Sequence, residues 1–365
     1  MSARRLGVLA LSLSIVACSA AQQAPAPPPP PPIAAPLASA ALPPPTSTKA
    51  AREPASTPAV VVTPAPDLAL ALALDPGPAF PPPSFDAPEA KTAKPGDGVW
   101  TPLVEGAAGK PPLLVRTTVH PDPGDHTVYA AIVAIDRRRV DLRFLPGTLE
   151  PKSTSVPVER RAGVIPAADQ PDLLAVFNGG FMAKHGAWGM KIGADTFLPP
   201  QDEACTVAFV NDGSLRIRTW TALAPAVATL AAYRQTPPCL VEQGVLNPVF
   251  EADPKTRRWG SSETGVTTIR RSALGLDATG KTLFYGLGEW ITPGRLAEAM
   301  RAAGAVDAAE LDVNWSYTRF LLYGPPKPGE APEVSETLIP KIKHAPKGYV
   351  VKASDRDFFY LVRRR

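Results

Sequence analysis

Proline decides where this chain can fold. About half of its 46 prolines fall within the first hundred of 365 residues, in runs such as APAPPPPPPIAAP and ALPPPTSTKAAREPASTPAVVVTPAP. Each proline fixes φ and lacks a backbone N–H, so neither a helix nor a strand ladder propagates through such runs. The one apolar segment among them, DLALALALD, is short and offers no large side chain for a core. Residues 19–98 therefore read as a semi-rigid, extended linker. From Val99 to Arg365 roughly 265 residues remain, enough for one large folded domain.

Ahead of the linker, MSARR followed by LGVLALSLSIVA and small residues has the pattern of a signal peptide, residues 1–18. SIVAC places Cys18 directly after Ile-Val-Ala, which resembles the lipobox of bacterial lipoproteins, where the cysteine is lipidated and becomes the mature N-terminus; the rival is an ordinary cleavable signal. Ser19 is similar to what outer-membrane lipoproteins carry. The expected location is therefore the bacterial envelope, with membrane contact through a lipid at Cys18 and the linker as tether. No apolar run reaches the ~20 residues of a membrane-spanning helix.

Export also bears on Cys205 and Cys239, the two cysteines that remain. In an oxidising compartment they most simply bond to each other, the alternative being two buried free thiols. A net charge of +4 with 20% charged residues gives no electrostatic reason to expect nucleic acid. The basic clusters DRRRVDLR and LVRRR read as a solvated strand end and a chain terminus.

After Val99 the segments are mainly strands. HTVYAAIVAID and RVDLRFLPG are β-rich, DLLAVFNGGF follows, and CTVAFVNDGSLRIRTW and SALGLDATGKTLFYGLG each carry a turn between two apolar stretches. Helical signals are fewer. APAVATLAAYRQ is one candidate. TPGRLAEAMRAAG is the stronger: Thr292 as N-cap, Pro293 at the first helical position, Leu296, Met300 and Ala303 on one face, Gly304 as the stop. AVDAAELDVNW then returns to extended structure, and the tail APKGYVVKASDRDFFYLVRRR reads as a hairpin whose last strand closes the sheet. The expected fold class is α+β, a mostly antiparallel mixed sheet with a few packed helices.

Searches for familiar chemistry find little. His120, His126, His185 and His344 are scattered, so no metal site is expected, and neither a nucleophile elbow nor a phosphate or dinucleotide loop is present. No cofactor is implied. Four segments do occur in a suggestive order: AVFNGGFM (Ala175–Met182), PPCLVEQGV (Pro237–Val245), RRSALGLDATGKTLFYG (Arg270–Gly286) and ITPGRLAEAMRAAGAVDAAELDVNWS (Ile291–Ser316). Together they resemble the phosphodiester glycosidase family, over roughly residues 130–324, about one large domain.

The resemblance implies a hydrolase acting on a glycosyl phosphodiester of an envelope or extracellular glycan. Asn178, Gly179 and Gly180 match the family's Asn-Gly-Gly, Arg271 with Ala273 and Gly275 its arginine motif, and Leu311, Asp312 and Ser316 its Leu-Asp-Gly-Gly-Gly-Ser. Val313, Asn314 and Trp315 stand where the family has glycines, and Glu310 where asparagine is common; larger residues there reshape the pocket. Cleaving a sugar–phosphate bond calls for a carboxylate near the anomeric carbon and for positive charge and amide donors on the departing phosphate. On that logic Asp312 and Arg271 are the catalytic candidates, the latter as phosphate clamp. Asn178, Gly179, Gly180, Ser316, Trp315 and Glu289 are candidates for substrate binding, with Trp188 and Trp290 as further apolar faces. The rival reading, favoured by the altered LDVNWS, is a catalytically degenerate domain that binds glycan or cell-wall polymer. Taken alone, Asn178-Gly179 would be a hairpin turn and the tryptophans core.

Overall fold

A computed structural model describes residues 79–365. The signal segment with Cys18, and the linker as far as residue 78, lie outside the described residues. Period-two alternation organises what is described. Along the strand Tyr129–Asp136, Ala131, Val133 and Ile135 enter a large core, while Ala130, Ile132 and Ala134 enter a smaller one on the opposite face. A sheet covered on both faces needs such a continuous apolar run.

That strand, β3, belongs to an eight-stranded antiparallel sheet. Its order is β1 (Thr101–Val104), β2 (Leu114–Val119), β3, β14 (Thr282–Ile291), β13 (Ile269–Leu276), β15 (Asp307–Val313), β11 (Val241–Glu242) and β12 (Val245–Leu246). A second sheet runs β7 (Asp195–Leu198), β6 (Met190–Ile192), β10 (Leu230–Thr236), β8 (Cys205–Val210), β9 (Leu215–Thr219). The third runs β17 (Val334–Thr337), β16 (Phe320–Tyr323), β5 (Leu173–Asn178), β18 (Phe358–Arg363), β4 (Val140–Leu145). All three contribute side chains to the large core, among them Val133, Val207 and Phe359. The helices α1 (Trp220–Leu223), α2 (Val249–Ala252) and α3 (Pro293–Ala302) are short, so the class is α+β with predominantly antiparallel sheets.

Helix α3 forms where its signals placed it. Thr292 Oγ1 accepts from the Arg295 N–H at 3.3 Å, and Gly304 follows the helix at φ 106°, a left-handed position that suits glycine. Leu296 and Met300 join Phe284 in the smaller core. The helix lies so close to the sheet that a Cβ on Gly286 would stand 2.6 Å from Met300 Sδ, and one on Gly275 3.0 Å from Met300 Cε and 2.9 Å from the Cβ of Ala305, which follows the helix. Gly275 thus answers to packing against α3 and the turn that follows it.

The hairpins β8–β9 and β13–β14 also form around their NDGS and DATGK turns. Three expectations change. APAVATLAAYRQ is not a helix: a 3-10 segment, Ala224–Thr229, leads directly into β10. The tail makes no hairpin; β18 inserts between β5 and β4, so the C-terminal strand lies inside its sheet. The folded region also begins before Val99, since Phe80 is buried in the smaller core and the Phe85 N–H donates to the Gly98 carbonyl at 3.2 Å. Cys205 and Cys239 form a disulfide across 34 residues, which in the chain-entropy account stabilises the fold by about 4 kcal/mol. Among the described residues no helix is long and apolar enough to cross a membrane.

Candidate functional site

The three sheets are joined at one end of the domain, where β5 and β15 finish and β18 begins. The Asp312 N–H of β15 donates to the Gly179 carbonyl just past β5, at 3.0 Å. Arg234 of β10 reaches Asp357 at the entry to β18, Nε to Oδ2 2.9 Å, with both side chains buried. Its other donors meet the carbonyls of Phe181 (2.5 Å), Trp188 (3.0 Å) and Gln235 (2.9 Å). A buried ion pair persists only with such additional hydrogen bonds.

Asn178-Gly179-Gly180 packs into this junction. The Gly179 N–H donates to the Asp357 carbonyl at 3.0 Å and the Gly180 N–H to Asp357 Oδ2 at 2.9 Å. A Cβ on Gly179 would lie 2.2 Å from Asp357 Oδ2, and one on Gly180 2.6 Å from Arg234 Cζ. The glycines are demanded by close approach; the segment is no hairpin turn, and its amides are occupied within the protein. The Asn178 side chain is likewise enclosed. Its Nδ2 donates to Ser272 Oγ at 2.9 Å, and its Oδ1 accepts from Tyr285 Oη (3.0 Å) and the Arg319 N–H (3.1 Å). Asn178, Gly179 and Gly180 therefore build the site from behind and offer no group to a ligand.

Arg271 is also placed differently from a phosphate clamp. Its side chain is fully buried beside Glu310, Nη1 to Oε1 2.8 Å. Nε donates to the carbonyls of Thr267 and Ile291, Nη1 also to Trp259 (2.6 Å), and Nη2 to Gly260 (3.0 Å) and Thr267 (2.7 Å). All five N–H donors are used, so Arg271 anchors the 257–267 loop from beneath. Burial pushes the Glu310 carboxyl upward, against the pull of Arg271.

Above this framework opens a cavity of about 850 Å³, within the range that encloses a ligand of several rings. Asp312, Trp315 and Ser316 lie on its wall. The Asp312 carbonyl is held by Ser272 Oγ (3.0 Å) and Thr318 Oγ1 (3.1 Å). Its Oδ1 accepts from the Val313 N–H at 2.9 Å, and its Oδ2 pairs with Arg356 Nη2. Burial pushes the carboxyl up to about 6, while Arg356 and the Val313 N–H act against it. Arg356 lies over the Tyr317 ring, 4.3 Å from its centroid. Lys184, His185, Arg257 and Arg258 add positive or protonatable groups to the wall, against Glu263. Arg258 pairs with Glu203 at 2.7 Å; the side chains of Lys184 and Arg257 hold no ion-pair partner among the described residues. Partial burial, followed by Lys184 and Arg356, lowers the His185 pKa.

Glu289 is absent from the cavity wall, its carboxylate held by Arg270 (Nε to Oε1 2.6 Å). Trp188 lines the cavity; Trp290 stands against Trp315, ring centroids 4.7 Å apart. Among the replaced glycines, Asn314 adopts φ 78°, a left-handed conformation that asparagine tolerates better than most residues. No cluster of three metal-ligating side chains occurs among the described residues.

Arg356, Asp357 and Arg234 belong to no motif in the sequence. Asp355-Arg356-Asp357 is three charges directly before the apolar FFYLV, a position that places the last of them at the buried entry to a strand. Arg234 was hidden because its segment read as helix; as a strand, YRQT puts an arginine among buried neighbours and so demands a partner.

No family model matches the chain, and no curated protein matches it in sequence. Solved structures of similar outline include a zebrafish N-acetylglucosamine-1-phosphodiester alpha-N-acetylglucosaminidase catalytic domain, auto-inhibited by its pro-peptide. It is 15% identical, with 73% of this chain and 88% of that one covered and a TM-score of 0.42. A hypothetical protein from Synechocystis is 13% identical, covering 70% of this chain and 65% of that one, with a TM-score of 0.42. An exported protein of Burkholderia pseudomallei is 12% identical, covering 64% and 74%, with a TM-score of 0.30. At these values the likenesses carry no argument about what the cavity does.

Proposed function

We propose that the domain hydrolyses a glycosyl phosphodiester, with Asp312 as the catalytic carboxylate. One observation carries this reading: a desolvated carboxylate paired with Arg356 in a cavity whose wall also holds the unpaired cations Lys184 and Arg257. A phosphodiester placed among these cations competes for Arg356 and releases Asp312 toward the sugar. The bond between the anomeric carbon and the phosphate oxygen breaks, and its electron pair leaves with the phosphate, which needs no proton to depart. Water then supplies the anomeric hydroxyl, one proton passing to Asp312 or to solvent. The carboxylate stabilises or captures the oxocarbenium-like carbon, and the cations stabilise the departing charge. Arg271, expected at the phosphate, instead holds the loop that carries Arg257.

The N-terminal sequence supports an exported protein tethered through Cys18 to a bacterial envelope membrane, the outer membrane by the Ser19 resemblance, so the substrate would be an envelope or extracellular glycan. A second reading is a glycan-binding domain without turnover. It is favoured by the occupation of both Asp312 oxygens, and by Val313, Asn314 and Trp315 crowding that end of the cavity. Mass-spectrometric detection of free sugar from a panel of glycosyl phosphodiesters decides between them: release by the wild type, lost in Arg356→Ala protein that stays folded, supports hydrolysis. Binding without release across the panel sinks it.

A further inference from the structure

Trp290 and Trp315 are the only exposed aromatic residues among the large apolar side chains described, 57% and 38% exposed. Trp290 sits on β14 at φ 54°, a left-handed conformation that disfavours a bulky side chain. Ordinarily such backbone strain persists where the surroundings over-determine it, often at a functional site. Burial does not account for it here. Trp315 follows Asn314, which is also left-handed, so two unusual backbone positions present two indoles to solvent side by side.

Both are held by one residue. The Arg270 guanidinium pairs with Glu289, immediately before Trp290, and the Arg270 carbonyl accepts from the Asn314 N–H at 2.8 Å, immediately before Trp315. The rings are tilted by 53° with centroids 4.7 Å apart, forming an angled surface. Trp315 also lines the cavity beside Asp312, so this surface continues the wall of a polar, cationic chamber. The ligand that fits such a junction has polar edges and small apolar faces. A sugar ring has that character, its C–H faces resting on indoles while its hydroxyls stay in water. An apolar helix or a bilayer would call for a broader apolar surface than two rings.

We propose that Trp290 and Trp315 form a stacking subsite at the cavity mouth for a further sugar ring, so that the preferred ligand is an oligosaccharide or polymer with more than one sugar unit. The link to catalysis rests on the phosphodiester-hydrolase reading above; the subsite itself does not. The test titrates the full chain with neutral tetrasaccharides of glucose, N-acetylglucosamine, mannose and galactose, following tryptophan fluorescence and calorimetric heat. At least one is expected to bind, with affinity about tenfold weaker in Trp290→Ala and in Trp315→Ala. Trp290→Gly should weaken binding equally while its melting temperature stays level or rises, because glycine relieves the left-handed strain. Failure of all four sugars to bind, or equal affinity in the variants, overturns the subsite. Quenching by anionic phospholipid vesicles but by none of the sugars would also overturn it. Because no readout here depends on hydrolysis, absent turnover sinks only the enzyme reading, and sugar release that persists without tetrasaccharide binding sinks only the subsite.

Discussion

Asp312 should make the folded protein less stable as pH rises through the range where its carboxyl ionises. Burial raises this group from the ordinary 3.8 to about 6. Below both values the folded and unfolded chains carry the proton alike. Between them the unfolded chain loses it while the folded chain keeps it, so stability falls with rising pH and levels off above about pH 6. The interval corresponds to about 3 kcal/mol, or roughly 5 °C in melting temperature for a domain of this size. Asp312→Asn removes the titration, and its amide oxygen can still accept from Arg356, whose side chain remains 17% exposed to water. Calorimetric melts of both proteins at pH 4 and pH 8 give the comparison. Relative to the variant, the wild type should lose about 2.4 kcal/mol between the two pH values, since the unfolded carboxyl is already partly ionised at pH 4. Parallel profiles would mean that Asp312 is an ordinary solvated carboxylate, and the reasoning that makes it a poised reactive group would fail.

The same shift sets the pH dependence of turnover: kcat/KM should climb with pH through about 6 as Asp312 ionises, then hold level, as initial rates between pH 4 and 8 would show. Arg271→Ala should cost about 3–5 kcal/mol in a denaturant melt, because it strands buried Glu310 and several loop carbonyls. Gly180→Ala should cost about 2–3 kcal/mol or more, since its Cβ would meet the Arg234 guanidinium; unchanged stability would contradict the close packing. Replacing Cys205 and Cys239 together by serine should lower stability by about 4 kcal/mol by the same assay, with no reactive thiol in the oxidised parent folded domain.

Local chemistry made several elements legible. Thr292-Pro293 and Gly304 bound α3 because cap and stop are written in adjacent residues, and the NDGS and DATGK turns announce β8–β9 and β13–β14. β10 was not legible, since LAAYRQT has alanine-rich helical propensity and becomes a strand only through pairing with β8 and β6. Asn178-Gly179-Gly180 shows the same limit within the site. Its glycines answer to Asp357 and Arg234, far along the chain, and nothing local distinguishes that demand from a turn. Asp312, Trp315 and Ser316 do reach the cavity, whereas Arg271 supports it from below and Glu289 faces Arg270. Arg356 carries no local signal of its role, because an arginine between two aspartates before a C-terminal strand gains meaning only when β18 inserts beside β5.

The most direct trial of Asp312 as the reactive carboxylate is kcat/KM for a glycosyl phosphodiester turned over by the wild type, compared with folded Asp312→Asn protein at pH 7. Removal of the nucleophile or charge stabiliser should lower it about a thousandfold or more. A variant that stays within tenfold of the wild type would place the chemistry on another residue.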